Sequence, residues 1–179
     1  MNKNLLIVGA GQSGLIARDI AEEMGCFEKI GFADDAITKL PDGTEIDGTV
    51  KDIPRLNQAY GNIIVAIGKP DVRLELLKNI EETTLYKIVS LISPRAYVAK
   101  SAQVMKGCII EPMAVVNTGC VIAEGCILSA GSVVNHCSMC CSGVHIDCNA
   151  TVAGSTLVPP GTKVESGTIF DRKIIRSNI

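Results

Sequence analysis

The segment VMKGCIIEPMAVVNTGCVI, residues 104–122, carries an aliphatic residue at every sixth position. The same period extends from Ile92 to Val164, and only Cys140 departs from Ile, Val and Leu. The other members of this column are Val98, Val104, Ile110, Val116, Ile122, Leu128, Val134, Ile146, Val152 and Val158. A period of six matches neither an α-helix nor an ordinary strand. It is typical of a hexapeptide parallel β-helix, in which short strands stack coil upon coil.

Two further columns indicate how each coil turns. The residue three positions after the aliphatic is often glycine, namely Gly107, Gly119, Gly125, Gly131, Gly143, Gly161 and Gly167. Glycine adopts a positive φ without steric cost, as a tight corner requires. The next residue is small in most repeats, which suits a place where the wall of the coil closes. Three units make one triangular coil, so residues 92–169 predict about four coils.

The first half of the chain reads as alternating strands and helices. Apolar runs predict strands at residues 4–8, 29–33, 62–67 and 85–92, and helical spacing predicts helices at 15–24, 53–59 and 72–80. Gly25 is placed to end the first helix. Alternation of this kind indicates a parallel sheet. The predicted fold class is therefore α/β plus all-β, with one domain at residues 1–91, another at 92–179, and a short turn near Ser93-Pro94 between them.

A glycine-rich turn follows the first predicted strand. Residues 9–14, GAGQSG, match the pattern GxGxxG between a strand and a helix. Such a turn lets the backbone approach a pyrophosphate, whose charge the helix N-terminus favours. Asp34 or Asp35, after the second strand, is placed to bind a ribose hydroxyl. The motif fits a dinucleotide coenzyme or a nucleotide sugar, and a domain of about four strands instead of six favours the latter.

Composition argues against several other classes of protein. The net charge of −2 gives no electrostatic case for binding nucleic acid or a membrane surface, and the aromatic content of 3% weakens a role in base stacking. No apolar run reaches transmembrane length and no signal peptide is recognised, so we expect a cytoplasmic protein. Four of the cysteines lie on inward columns, where cysteine acts as a small hydrophobe: Cys108, Cys120, Cys126 and Cys140. We therefore expect reduced thiols.

Both histidines of the chain lie in residues 133–148, VVNHCSMCCSGVHIDC. One interpretation is a zinc site, but Cys140 is on the inward column and neighbouring strand residues face opposite sides, so no metal is predicted. The other interpretation is general-base catalysis by His136, two residues after the inward Val134. Imidazole titrates near neutral pH, which suits removal of a proton from an amine or hydroxyl that attacks a thioester. A surface histidine without a function is the alternative.

On these residues the chain resembles a family of bacterial sugar acetyltransferases. The family includes the UDP-amino-sugar N-acetyltransferases of pilin and protein glycosylation and the sialic acid O-acetyltransferases. The resemblance is carried by residues 9–14, residues 31–35, residues 65–68 with Arg73, and Asn135-His136 with His145. It implies a Rossmann-like domain that binds a sugar nucleotide, a left-handed β-helix that binds acetyl-CoA, and a homotrimer with active sites between neighbouring β-helices.

The resemblance also implies roles for individual residues. His136 matches the base that deprotonates the sugar, and His145 matches a residue that contacts acetyl-CoA. Gly154 matches a glycine in the same coenzyme site, whose N–H stabilises the oxyanion of the tetrahedral intermediate. The positions that match contacts to the nucleotide sugar are Gly11, Gln12, Ser13, Asp34, Asp35 and Gly68.

Three features depart from the family's pattern. Cys137 follows the base where Asp or Glu is usual, and a thiol does not stabilise an imidazolium as a carboxylate does. Gln12-Ser13 stands where the glycine loop often has a histidine. The chain also ends soon after Phe170, and the cations within residues 172–176 are candidates for contacts to CoA phosphates.

We therefore predict a cytoplasmic acetyltransferase of glycan biosynthesis. It would move an acetyl group directly from acetyl-CoA to the amino group of a UDP-activated amino sugar, with His136 as base. Cys137 is a further candidate, as a catalytic nucleophile, although the side chains of His136 and Cys137 need not meet. One alternative is O-acetylation of a sialic acid or related sugar, and another is a non-catalytic sugar-nucleotide-binding or assembly protein. An NAD-dependent enzyme is disfavoured by the small first domain.

Overall fold

A four-stranded parallel sheet opens the chain in this computed structural model, which describes residues 2–172. Residues 173–176, predicted with Arg172 to contact CoA phosphates, lie outside that range. The strands are β1 (Leu5–Val8), β2 (Ile30–Ala33), β3 (Asn62–Val65) and β4 (Lys87–Ile88), in the order β2-β1-β3-β4. Its helices are α1 (Gln12–Met24), α2 (Ile53–Leu56) and α3 (Pro70–Thr83). Strand β1 is buried along its whole length, because both faces of the sheet are covered.

The observed elements differ from the predicted ones in several places, and the largest difference is in residues 85–92. Helix α2 ends at Leu56 instead of residue 59, and α3 extends beyond both ends of residues 72–80. The single strand predicted at residues 85–92 is wrong, because it divides into β4 and β5 (Leu91–Ile92). Val89 N–H still donates to Ile63 O in the first sheet, whereas Leu91 N–H donates to Cys108 O in the second half. The chain therefore changes sheets at Ser90, earlier than the turn expected near Ser93.

The second half is a stack of two-residue strands that form the three walls of a parallel β-helix. One sheet packs against the first half of the chain and is called the docked sheet, and the other two are called the open sheets. The docked sheet contains β5, β8 (Ile109–Ile110), β11 (Ile127–Leu128), β14 (His145–Ile146) and β17 (Lys163–Val164). The first open sheet contains β6 (Tyr97–Val98), β9 (Val115–Val116), β12 (Val133–Val134), β15 (Thr151–Val152) and β18 (Ile169–Phe170). The second open sheet contains β7 (Gln103–Val104), β10 (Val121–Ile122), β13 (Met139–Cys140) and β16 (Leu157–Val158). The predicted β-helix is confirmed.

The aliphatic column is the core of this β-helix. Most of its members have no exposed surface, and Cys140 is buried among them. The inward positions predicted for Cys108, Cys120 and Cys126 are confirmed, since these residues are also completely buried. Burial raises the pKa of the Cys140 thiol to about 12, so this residue behaves as a hydrophobic side chain.

One corner of the triangular coil consists of glycines, because the backbone there has positive φ and because helix α3 leaves little room for a side chain. Gly107, Gly125, Gly143 and Gly161 form the corner between the second open sheet and the docked sheet, and all have positive φ. A Cβ on Gly125 would lie 2.8 Å from Leu77 Cδ1, and one on Gly143 would lie 2.7 Å from Leu74 Cδ1. Helix α3 therefore packs against this all-glycine corner. At the other two corners, non-glycine residues also adopt positive φ, namely Met113, Cys137, Asn149 and Ser155.

The docked sheet joins the two halves of the chain. Its outward residues Leu91, Ile109 and Ile127 belong to the same hydrophobic cluster as Leu5 and Ala10 of the first half. The predicted boundary between residues 91 and 92 falls within β5, and the division into two separate domains stays a prediction. No helix within residues 2–172 is both long and apolar enough to cross a membrane.

Candidate active site

His136 and Gly154 lie together at the corner between the two open sheets. They are one coil apart, and Ser155 N–H donates to His136 O at 2.9 Å. A Cβ on Gly154 would lie 2.7 Å from His136 Nε2 and 2.8 Å from Cε1, so the imidazole covers this glycine. His136 is exposed and Gly154 is half-buried. The residues predicted as base and as oxyanion donor are thus in contact.

The polar groups of this corner are open to a ligand. Within residues 2–172, neither the His136 imidazole nor the Gly154 N–H has a hydrogen-bond partner. The backbone beneath the ring is held in place, because His136 N–H donates to Asn135 Oδ1 at 2.8 Å and Asn117 Nδ2 donates to the same oxygen at 3.3 Å. A free imidazole and a free amide therefore stand beside each other on a fixed backbone.

Cys137 follows His136 in sequence, but its side chain lies on the other side of the turn. Its φ is 57°, in the left-handed region, and its thiol is exposed. A Cβ on Gly119, in the preceding coil, would lie 3.4 Å from Cys137 Sγ, whereas the imidazole of His136 lies over Gly154 in the following coil. The two side chains diverge, and no hydrogen bond joins them in the part of the chain that the structure describes.

His145 lies on the docked sheet in a different environment. It follows Leu91, Ile109 and Ile127 in the outward column, just beyond the part that the first half covers. Burial lowers the pKa of its half-buried imidazole below the usual value, so His145 is neutral at physiological pH. Its Nε2 lies 3.1 Å from Ser129 Oγ.

A buried carboxylate lies on the other side of Ser129. Glu111 Oε2 accepts the Ala130 N–H at 2.9 Å, and burial raises the pKa of this carboxyl group although hydrogen bonds from Ala130 and Ser129 oppose that shift. Ser129 and Glu111 are not among the site residues predicted from the sequence. The period of the coils could have found them, because residues 18 apart stack in register and Glu111 stands directly beneath Ser129.

The glycine-rich turn has the geometry of an anion site. Gly9 has a φ of 103°, and a Cβ on Gly14 would lie 2.0 Å from Gly9 O, so both positions require glycine. Helix α1 begins after Gly11 without a side-chain cap. An added Cβ on Gly11 or on Gly68 would meet nothing within 4 Å. Free N–H groups at an open helix start favour a phosphate.

Asp34 holds this turn in place. Its Oδ2 accepts the Ala10 N–H at 2.8 Å, and its Oδ1 accepts the N–H groups of Ala36 and Ile37. Burial alone would raise the pKa of Asp34, but these three donors offset it and the pKa lies below the ordinary value. Asp35 is exposed and accepts the Val50 N–H. Asp34 therefore fixes the turn, whereas Asp35 is the more open of the two predicted ribose ligands.

The predicted site residues form two groups that lie on different sides of the β-helix within one chain. The glycine-rich turn belongs to the half that covers the docked sheet, since Ala10 and Ile127 share a hydrophobic cluster. His145 lies on that same sheet. His136 and Gly154 lie at the corner between the two open sheets, which is opposite the docked sheet in the triangle. His136 and Gly154 contact each other, whereas the glycine-rich turn and His145 both lie on the side of the docked sheet, so the two groups face different directions.

The cysteines of residues 133–148 do not converge. Cys140 is completely buried, Cys137 and Cys148 are exposed, and Cys141 is intermediate. Among residues 2–172, no three His, Cys, Asp or Glu side chains form a group that could hold a metal ion.

Residues 4–80 match the protein family described as the PglD N-terminal domain. The acetyltransferase domain of PglB from Neisseria gonorrhoeae FA1090, solved with acetyl coenzyme A, superposes with a TM-score of 0.89 at 28% sequence identity. The match covers 94% of this chain and 82% of that one. Residues 4–80 therefore form a PglD N-terminal domain, and the chain is similar along most of its length to an acetyltransferase domain. The predicted resemblance to sugar acetyltransferases and the prediction of an acyltransferase are confirmed.

More distant structures share the fold. Perosamine N-acetyltransferase from Caulobacter crescentus, solved as a mutant with CoA and GDP-perosamine, has a TM-score of 0.77 at 20% identity and covers 96% of this chain and 90% of its own. WeeI from Acinetobacter baumannii AYE has a TM-score of 0.55 at 14% identity, with 92% and 87% covered. A search of curated protein sequences finds no match.

Proposed function

We propose that this protein transfers the acetyl group of acetyl-CoA to the amino group of a nucleotide-activated amino sugar. The observation that carries the proposal is the contact between the His136 imidazole and Gly154 at an exposed corner. A base beside an unpaired backbone N–H is what acyl transfer from a thioester requires. Acetyl-CoA as co-substrate is supported by the acetyl coenzyme A bound to PglB.

The chemical step uses His136 as a general base. Its imidazole nitrogen takes a proton from the sugar amine while the amine nitrogen forms a bond to the thioester carbon. The carbonyl oxygen becomes an oxyanion, which the Gly154 N–H stabilises. The intermediate then collapses, the carbon–sulfur bond breaks and CoA leaves as a thiolate that takes up a proton. Cys137 is not needed in this direct route, and its side chain lies away from the imidazole.

His145 is proposed to contact acetyl-CoA. Because its ring is neutral, one nitrogen can donate and the other can accept a hydrogen bond. Ser129 Oγ is within hydrogen-bonding distance of His145 Nε2, so His145 Nδ1 is left to form a hydrogen bond with a polar group of the coenzyme.

The sugar nucleotide is proposed to bind at the glycine-rich turn, in contact with Gly11, Gln12, Ser13, Asp35 and Gly68. The uncapped start of α1 suits its pyrophosphate. Asp34 is proposed to act by fixing the turn, since its oxygens already accept three backbone N–H groups. We propose a UDP-sugar, and a GDP-sugar is the first competitor to test because the perosamine enzyme was solved with GDP-perosamine. N-acetylation rather than O-acetylation is supported by the same relative, which is an N-acetyltransferase.

A homotrimer is proposed to complete the active site. The open sheets expose large apolar residues within one chain, namely Tyr97, Met139, Leu157 and Ile169, and such surfaces mark contacts between proteins. His136 and the glycine-rich turn face different directions, so a neighbouring copy that packs against the open sheets can bring one group to the other. A ring of copies uses the same heterologous contact at every interface. A cytoplasmic location is proposed as well, and the eight free thiols support it.

The decisive experiment measures release of the CoA thiol from acetyl-CoA with a panel of UDP- and GDP-activated amino sugars, together with mass spectrometry of the acceptor. We expect one amino sugar to gain an acetyl group, and His136→Ala to lower the rate by about 10²-fold or more. Because His136 is exposed, the variant should unfold at the wild-type temperature. Release of CoA without an acetylated sugar, or near wild-type turnover of the variant, would refute the proposal.

A further inference from the structure

The buried guanidinium of Arg73 joins the two halves of the chain. Arg73 lies in the first turn of α3 and has no exposed surface. Its Nε donates to Gly125 O at 2.6 Å and its Nη2 to Gly143 O at 2.9 Å, both at the all-glycine corner. Its Nη1 donates to Ile67 O at 2.5 Å and to Gly68 O at 3.0 Å. One side chain thus connects the turn after β3 with two successive coils of the β-helix.

No carboxylate pairs with this cation in the described part of the chain. None of the ion pairs there includes Arg73, and its four hydrogen bonds all go to backbone carbonyl groups. Burial of a charge is costly, and an apolar side chain could fill the same junction without that cost. The guanidinium differs from an apolar filler because it sets the direction of the carbonyl groups it binds.

The direction of two peptide groups follows from these hydrogen bonds. In a trans peptide, the C=O and the N–H point in opposite directions. The carbonyls of Ile67 and Gly68 face Arg73, so the N–H groups of Gly68 and Lys69 face away from it. Neither N–H has an acceptor within residues 2–172, and both residues are exposed. Two free donors therefore stand at the start of α3, at the carboxyl edge of the first sheet.

The same side chain also holds the coil that carries His145. Gly143 is two residues before His145, and its carbonyl accepts from Arg73 Nη2. The guanidinium is close enough to contribute to the lowered pKa of His145, after burial, which is the main cause. Arg73 is therefore hydrogen-bonded to the turn after β3, where the nucleotide is proposed to bind. It is also hydrogen-bonded to Gly143, just before the strand of His145, where the coenzyme is proposed to bind.

We propose that Arg73 is a positioning residue for the sugar nucleotide. It directs the free N–H groups of Gly68 and Lys69 toward the pyrophosphate of a nucleoside diphosphate sugar, and it fixes this turn relative to the strand of His145. The role assigned to Arg73 rests on the proposed function, because the ligand of this turn is the nucleotide sugar that the proposed reaction acetylates.

The test compares Arg73→Lys with Leu77→Ala. Lysine keeps the charge, but its single ammonium cannot span both the turn and the two coils. Leu77 packs against the same corner and makes no hydrogen bond to residues 67–69, so its truncation loosens the junction without releasing the turn. Steady-state kinetics, calorimetric binding of UDP and GDP, and thermal unfolding are measured for both variants and for the wild type.

We expect Arg73→Lys to raise the KM for the nucleotide sugar and the Kd of the nucleoside diphosphate by about 10-fold or more, with the KM for acetyl-CoA unchanged within about twofold. Leu77→Ala should lower the unfolding temperature at least as much while both nucleotide constants stay near wild type. A folded Arg73→Lys protein with wild-type nucleotide constants overturns the positioning role, and so does equal loss in the two variants. A wild-type protein that neither binds a nucleotide nor transfers acetyl overturns the proposed function itself.

Discussion

The imidazole of His136 occupies the space directly above Gly154, at 2.7 Å from where a Cβ on residue 154 would lie. Real Cβ atoms do not approach ring nitrogens so closely, so any side chain at position 154 must displace the ring. The φ of Gly154 is not in the left-handed region, which means that the glycine is required by its neighbour and not by the turn.

Gly154→Ala should therefore inactivate the enzyme through His136. We expect the acetylation rate to fall by about 10²-fold or more, because the base is moved while the backbone N–H remains. Stability should change little, since the displaced ring is exposed. Rates and unfolding curves of the single variant and of Gly154→Ala combined with His136→Ala check this. The double variant should be no slower than His136→Ala alone, and additive losses would show that Gly154 acts independently of the ring.

Cys137→Asp should place a carboxylate on the residue that follows the proposed base, His136. Aspartate tolerates the left-handed conformation of residue 137 better than most residues. A nearby negative charge stabilises an imidazolium, so the acid limb of the pH–rate profile should move to higher pH. Cys148→Asp is the matched control, because Cys148 is exposed at a different corner and the charge change is the same. Identical pH–rate profiles for wild type and Cys137→Asp would show that a carboxylate at this position does not influence the base.

His145 should make the stability of the protein depend on pH. Burial lowers its pKa in the folded state, so the unfolded chain takes up the proton first as the pH falls. This contribution is absent above the unfolded pKa of about 6.5 and destabilises the fold progressively below it. Urea unfolding at pH 7.5 and 5.5 should therefore show a larger loss for wild type than for His145→Gln. Ser129→Ala, which keeps the imidazole, should retain the pH dependence; an equal loss in all three proteins would contradict the assignment.

The period of six was sufficient to predict the β-helix, because an inward column of aliphatics and a glycine corner recur at a spacing that other folds do not use. It also accounted for Cys108 and Cys140, which are buried as predicted. The stacking of His136 on Gly154 is a consequence of the same period, since the two residues are one coil apart.

Other features depend on contacts distant in sequence. Residues 85–92 divide into two strands because Val89 N–H donates to Ile63 O whereas Leu91 N–H donates to Cys108 O, and no local pattern shows these partners. The docked sheet was also missed, although the outward column carried a signal. Leu91, Ile109 and Ile127 are apolar where the first half covers them, and the column becomes polar at His145 and Lys163.

If the two groups of site residues meet only across an interface, two inactive variants should restore activity together. His136→Ala removes the proposed base, and Gly68→Glu places a carboxylate in open space at the proposed pyrophosphate site. Each variant alone should be inactive in the acetylation assay. In mixed oligomers of the proposed trimer, a site that combines the turn of a His136→Ala chain with His136 of a Gly68→Glu chain is intact. Random assembly of equal amounts should therefore recover about a quarter of the wild-type rate.

The control is the double variant, with both substitutions on one chain, mixed with wild-type protein. Affinity capture through a tag on one of the two chains verifies that mixed oligomers have formed in every sample. The double variant contributes neither part, so the mixture should not exceed the activity of the wild-type chains it contains. Verified mixed oligomers of the two single variants without recovered activity would mean that His136 serves the nucleotide turn of its own chain. Because these groups lie on opposite sides of the β-helix, we expect recovery.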